Sequence, residues 1–158
     1  MPTISGGTLA QPGSLVFEEV TFTETSGSGT YTGSVRVPKE SWLLDVKFYP
    51  VAVWDNAGNA TLKAGDAVTD DGFFTGINLK ATDLIAGTNA EVLDFNNAGG
   101  KPGGYIVAAT GERAVMYSAL ERVVSGIITT TGAGGTLGRT RMLVIWSAHA
   151  NPTAATKV

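Results

Sequence analysis

Hydrophobic and polar residues alternate in short runs along most of this chain. In the first run, Leu15 to Thr23, one face carries Val16, Glu18, Val20 and Phe22. Successive side chains of a strand point to opposite faces, and Val, Phe and Thr are frequent in strands. The run is therefore predicted to be a strand. The same reasoning predicts strands at Tyr31 to Val37, Ser41 to Trp54, Ala60 to Lys63, Ala90 to Phe95, Tyr105 to Ala109 and Arg139 to Ser147.

Two features refine the longest apolar segment, Ser41 to Trp54. Leu44, Val46 and Phe48 alternate with polar residues, which predicts a half-buried strand with these three on one face. Pro50 interrupts the run, so a bend or bulge is expected there.

Turn chemistry and apolar faces predict how some strands pair. The sequence from Asp55 to Asn59, DNAGN, is rich in residues that tolerate turns. Ala60 to Lys63 is therefore predicted to form a hairpin with Val51 to Trp54. Arg139 to Ser147 is apolar on both faces, which is typical of a central strand.

Two segments have a helix-like pattern. Asn78 to Gly87 is predicted to contain one short helix. Thr82 is an alternative N-cap, but a start at Asn78 gives a better length, with Gly87 just past the end. Ala114 to Val124 fits a helix, or a strand, a turn near Ala119 and Leu120, and a second strand beginning at Arg122. The β-branched residues after Arg122 favour two strands.

Composition agrees with an all-β sandwich or barrel. The chain has 158 residues, 21 glycines and only 16% charged residues, against about 25% in an average protein. This favours short strands joined by tight turns within one domain. There are 0 cysteines, so disulfides and thiolate metal sites are excluded. The net charge is −3 with no basic run, so no nucleic-acid partner is expected. No apolar run is long enough to predict a membrane helix.

The termini differ from the predicted domain, Leu15 to Ser147. Met1 to Ser14 is free of charge, contains Gly and Pro, and lacks the pattern of a signal peptide; it is predicted to be an extended arm. Ala148 to Val158 is predicted to be a flexible tail. The apolar residues of the arm are predicted to bind another chain: Ile4, Leu9 and Pro12.

Candidate chemistry is sparse. The single histidine, His149, lies in the tail, so a catalytic or metal-binding role is not expected. Asp66, Asp70 and Asp71 form an acidic cluster that offers oxygen ligands for calcium, but its spacing does not match an EF-hand loop. Carboxylates that stabilise turns are the favoured interpretation. No cofactor, metal or enzymatic activity is predicted.

Aromatic residues offer one more candidate site. Aromatic rings can stack on sugars, although such residues more often lie in cores or interfaces. The candidates for a sugar platform are Tyr31, Trp42, Trp54, Tyr105 and Trp146.

Two longer stretches carry a resemblance to a known group of proteins. WDNAGNATLKAGDAVTDDGFFTGINLKATDL and RVVSGIITTTGAGGTLGRTRMLVIW resemble small structural proteins of tailed bacteriophages, of the capsid decoration (cement) type. The similar region extends from Val35 to Trp146 and omits the arm. No binding residues of that group can be transferred to this chain.

The resemblance implies a jelly-roll-like β domain that assembles as a homotrimer. It further implies that the trimer decorates the capsid exterior by binding the major capsid protein, after synthesis in the bacterial cytoplasm. The alternative is a receptor- or carbohydrate-binding module of a phage fibre or tail tip. A hydrolase is disfavoured, because no acid–base pair is apparent.

Overall fold

The computed structural model describes residues 14–27, 29–80, 92–96, 101–107 and 116–148. In these residues the strands are β1 (Leu15–Thr23), β2 (Thr30–Val37), β3 (Ser41–Ala52), β4 (Ala60–Gly65), β5 (Phe74–Asn78), β6 (Tyr117–Ser118), β7 (Arg122–Thr130) and β8 (Arg139–Ala148). They form two antiparallel four-stranded sheets, ordered β1-β8-β3-β6 and β2-β7-β4-β5. The predicted all-β, jelly-roll-like fold is confirmed.

Several predicted strands agree well with the observed bounds. β1 matches its prediction, and in β7 Val124, Ile128 and Thr130 are all buried on one face. β8 lies between β1 and β3, as its two apolar faces predicted. None of the described residues form a helix, so that part of the chain contains no helix that could cross a membrane.

β3 contains two irregularities in its pairing with β8. One lies near Pro50, where the sequence predicted a bend or bulge. The other lies between Leu43 and Asp45, so Leu43 is buried and Leu44 is exposed. The prediction that Leu44 shares the buried face of β3 is therefore wrong, because a bulge inserts one residue and changes the alternation.

The predicted hairpin between Val51–Trp54 and β4 is wrong. β4 instead pairs with β5 and β7, and Ala60 lies opposite Thr130. The turn after Trp54 is held by Asn56, whose side-chain amide donates hydrogen bonds of 2.8 Å to the carbonyls of Asn59 and Thr131. The turn residues thus carry the chain from the first sheet to the second.

Other sequence predictions need correction or lie partly outside the described residues. Asn78 is the last residue of β5 and Leu79 and Lys80 form a turn, so a helix does not begin at Asn78; residues 81–87 lie outside the described residues. Tyr105 and Ile106 lie in a turn, which contradicts a strand beginning there. Residues 108 and 109 are outside the described part.

Two short segments extend the sheets through single bridges. In the predicted strand at residues 90–95, only Leu93 makes a bridge, to Phe48 of β3; residues 90 and 91 are outside the described part. Pro102 similarly bridges to Phe74 of β5. These bridges place the 92–96 and 101–107 segments beside the two sheets.

The helix-or-strand ambiguity at residues 114–124 is resolved from Met116 onward. Tyr117 and Ser118 form β6, Ala119 and Leu120 bend, and Arg122 begins β7. The favoured two-strand interpretation is confirmed for these residues. Because β6 belongs to one sheet and β7 to the other, this bend joins the two layers.

The hydrophobic core lies between the two sheets. Phe48 of β3 meets Phe74 of β5 edge to face, with ring centroids 5.4 Å apart. A Cβ added at Gly126 would lie 2.9 Å from the ring of Phe22 and 3.1 Å from the sulfur of Met142. Glycine at this position therefore lets large side chains from the opposite sheet fill the centre.

Candidate binding surface

An apolar row crosses the outer face of the first sheet. Leu15 pairs with Ser147, Trp42 pairs with Ser147 and Tyr117 pairs with Trp42, so the row includes β1, β8, β3 and β6. Three of these four side chains are large, hydrophobic and exposed. The rings of Trp42 and Tyr117 are 5.2 Å apart, and Trp42 remains 47% exposed.

A second row lies beside the first. Phe17 pairs with Ile145, which pairs with Asp45. Phe17 is 59% exposed, and the bulge in β3 brings Leu44 to the surface next to Asp45. We call the exposed hydrophobic residues of these two rows the apolar face: Leu15, Phe17, Trp42, Leu44 and Tyr117.

The same outer surface becomes charged further along β3. Lys47 places its Nζ 2.9 Å from an oxygen of Asp45 and 3.0 Å from one of Asp94. Partial burial alone would lower the pKa of Lys47, but hydrogen bonds to the two carboxylates raise the pKa above its ordinary value. An exposed aromatic patch with a charged border is typical of a protein-binding surface.

The aromatic residues proposed as a sugar platform do not form one surface. Trp54 and Trp146 are buried. The indole of Trp54 donates a 3.0 Å hydrogen bond to Thr140, and Tyr31 meets the Trp54 ring edge to face at 5.0 Å. Of the three tryptophans, Trp42 is the one at the surface. Trp54 and Trp146 thus serve the core, as the alternative interpretation predicted.

The acidic cluster forms a turn. Asp66 accepts hydrogen bonds from the backbone N–H groups of Val68 and Thr69, at 2.9 and 3.1 Å. Asp70 forms an ion pair with Lys63. Within the described ranges, no three His, Cys, Asp or Glu side chains are grouped as metal ligands would be. Asp66 therefore has the turn-stabilising role that the sequence favoured.

Sequence reasoning did not identify the apolar face. Trp42 was considered only as part of a sugar platform, and Leu44 was assigned to the buried face. Phe17 lies on the opposite face of β1 from the half-buried Val16 and Val20, which was the available signal for an exposed hydrophobic position. The predicted partner-binding residues Ile4, Leu9 and Pro12 lie outside the described residues, as does His149.

Two solved phage capsid structures contain a chain of similar fold. In the acidic stable capsid of Helicobacter pylori bacteriophage KHP30, the similar region covers 87% of this chain and 91% of that chain, with a TM-score of 0.54 and 13% identity. In the capsid asymmetric unit of cyanophage Pam1, it covers 92% and 93%, with a TM-score of 0.52 and 15% identity. The predicted resemblance to phage structural proteins is confirmed at the level of the fold.

The sequence comparisons are negative: no protein-family model matches the chain, and no curated protein matches its sequence.

Proposed function

We propose that this chain is a non-enzymatic structural protein of a tailed-phage virion that decorates the outside of the capsid. It acts as a homotrimer, binds the lattice of the major capsid protein and stabilises it. The protein is made in the host cytoplasm and binds assembled shells.

The observation that carries this proposal is a fold shared almost end to end with chains of two phage capsid structures, over 91% and 93% of those chains. Fold alone does not define function, so the surface provides the second argument. The apolar face is suited to a partner protein, and the acidic balance disfavours a position against the genome.

Symmetry arguments support the proposed trimer. Homo-oligomers close under rotational symmetry, and icosahedral lattices offer three-fold positions. Three copies that each make a weak contact gain avidity when they bind together. In this proposal, Ile4, Leu9 and Pro12 of the arm contact a neighbouring chain and the apolar face contacts the shell.

Co-sedimentation with expanded capsids tests the decoration role. The protein should pellet with capsids at a fixed ratio per shell, and light scattering should give about three times the 16.3 kDa chain mass. A protein that stays monomeric at micromolar concentrations and remains in the supernatant would contradict both parts of the proposal.

The exposed Trp42–Tyr117 pair supports a second candidate, a carbohydrate-binding module of a fibre or tail tip. Aromatic faces stack on the apolar faces of sugars. Binding to a glycan array that disappears in Trp42→Ala, combined with no binding to capsids, favours this candidate over decoration.

A further inference from the structure

A cavity of about 440 Å³ lies where the two sheets meet at the β6–β7 bend. Its volume is within the range typical of ligand-binding clefts. It is lined by the loop after β4, by Tyr105, and by the bend between β6 and β7; among the lining residues are Asp66, Ala67, Val68, Leu120 and Arg122.

A buried ion pair lies in the wall of this cavity. The Nε of Arg122 is 3.6 Å from Oδ2 of Asp66, and both side chains are 7% exposed. The second carboxylate oxygen, Oδ1, accepts from Tyr105 Oη at 3.0 Å in addition to two loop N–H groups. Asp66 is thus held firmly, whereas its contact with Arg122 is long.

Arg122 retains a hydrogen-bond donor without an acceptor. Its Nη1 is buried and has no hydrogen-bond partner. Leaving a buried charged donor unpaired is costly, and native structures usually supply an acceptor. A small shift of the Arg122 guanidinium toward the cavity would let it donate to an oxygen of a bound molecule.

The charges and the rim define the chemistry of that molecule. Arg122 is already balanced by Asp66, and Glu121 beside it is paired with Arg36 at 2.7 Å. An additional buried anion would leave an uncompensated charge, so an uncharged carbonyl fits better. The rim is apolar, because Val68 and Leu120 are 87% and 76% exposed.

We propose that this cavity binds the charge-free segment 1–13 of a second copy of the chain. The side chain of Leu9 packs between Val68 and Leu120, and a neighbouring backbone carbonyl accepts from Arg122. This segment supplies what the cavity requires: no charged side chain, apolar residues and backbone carbonyls. The inference rests on the proposed homo-oligomer and identifies the surface that receives the arm.

The length of the segment allows a neighbouring copy to donate it. The segment joins β1, at one edge of the first sheet, whereas β6 and the cavity lie at the opposite edge. Thirteen extended residues span at most ~45 Å, which is enough to bridge adjacent domains. Exchange of this kind links copies while burying the exposed Val68 and Leu120.

The absence of cysteine in the natural chain allows a clean cross-linking test. A chain carrying Ala10→Cys is co-expressed with a chain carrying Ala67→Cys, which lies in the cavity wall and leaves Leu9, Val68 and Leu120 intact. Ala133→Cys, at an exposed alanine in the loop between β7 and β8, is the matched control. Mild oxidation should give at least about tenfold more linked heterodimer with Ala67→Cys than with Ala133→Cys, because docking raises the effective concentration.

A second pair of variants tests the rim without touching the core. Leu120→Asp should weaken self-association roughly tenfold or more, because it places a charge against the docked leucine. Leu137→Asp changes an equally exposed residue outside the cavity and should leave self-association unchanged. Circular dichroism spectra matching that of the natural protein confirm that both variants fold.

The outcomes separate this inference from the proposed function. Equal cross-linking at positions 67 and 133 in a protein that is still trimeric overturns the cavity assignment and leaves decoration standing. A chain with both Ala10→Cys and Ala67→Cys that links only to itself overturns docking between copies. Cross-linking that is selective for position 67, in a protein that does not bind capsids, supports the cavity assignment and contradicts decoration.

Discussion

Glu24 and Gly138 are joined by two hydrogen bonds. The N–H of Glu24 donates to the carbonyl of Gly138 at 2.8 Å, and the N–H of Gly138 donates to the Glu24 carboxylate at 2.9 Å. The same carboxylate accepts from the N–H groups of Asp55 and Asn56, each at 3.1 Å. This buried side chain at the end of β1 therefore ties together the loop after β3 and the loop before β8.

Replacing Glu24 with alanine should destabilise the domain by about 3 kcal/mol or more. Three backbone donors lose their acceptor, and each unsatisfied buried donor costs about 1–3 kcal/mol. Urea unfolding measures the change. Glu19→Ala is the control: its ion pair with Arg141 is 3.6 Å long and exposed, so the loss should stay within about 1 kcal/mol. Equal losses in the two variants would contradict the role of Glu24.

Asp55 should make stability depend on pH in acid. The N–H of Leu137 does most to lower the pKa of Asp55 below its ordinary value, and the N–H of Thr136 adds to this, while partial loss of hydration opposes it. A pKa lowered by folding means that the ionised carboxylate stabilises the fold above the unfolded pKa of about 4. That stability is lost as pH falls through the lower folded value.

Asp55→Asn isolates this effect, because the amide oxygen can still accept hydrogen bonds. The variant should be less stable than the natural protein at pH 6, and the difference should shrink as pH falls below about 4. Urea midpoints measured across this range provide the comparison. A difference that stays constant with pH would show that the charge of Asp55 does not contribute.

Local sequence patterns predict the positions of the strands far better than they predict which strands pair with each other. The Val, Phe and Thr content of β1 and the two apolar faces of β8 identified these strands, because both are properties of a few consecutive residues. The hairpin assigned to β4 was wrong because pairing is decided by distant segments: Ala60 lies opposite Thr130. The bulge that exposes Leu44 is likewise set by the register of β3 against β8.

The cavity illustrates the same limit. Asp66 was correctly assigned to a turn, since its hydrogen bonds to Val68 and Thr69 are local. Its contacts with Tyr105 and Arg122 depend on the fold, because these residues come from separate segments. No spacing rule in one sequence brings these three side chains together.

Phe17→Asp should abolish capsid binding while preserving the fold. Phe17 is exposed on the outer face of β1, so the substitution creates no cavity, but it places a charge in the apolar face. Co-sedimentation measures the binding. Thr32→Asp, exposed on β2 in the other sheet, is the control and should bind normally. Normal binding by Phe17→Asp would remove the apolar face from the proposed contact.

Removal of divalent cations should leave stability unchanged. The carboxylate of Asp66 accepts hydrogen bonds from loop N–H groups and Tyr105 and forms an ion pair with Arg122. The carboxylate of Asp70 forms an ion pair with Lys63. A ligand that binds only the folded state raises its stability, so a bound ion would be revealed by a chelator. The melting temperature with and without a chelator is expected to agree. A fall that calcium reverses would instead assign a metal site to the chain.

Replacing both Ile4 and Leu9 with serine should weaken self-association without lowering the melting temperature of the monomeric domain. These residues precede the first strand, which begins at Leu15, and the substitutions keep the segment uncharged and equally long. Truncating apolar side chains at an oligomer interface mainly speeds dissociation, so subunit exchange should accelerate. Light scattering over a dilution series and exchange between labelled copies measure the two effects. Replacing Thr3 and Thr8 with serine, in the same segment, is the matched control and should leave both unchanged. If the Ile4 and Leu9 variant exchanges as slowly as the control, the arm does not hold the copies together.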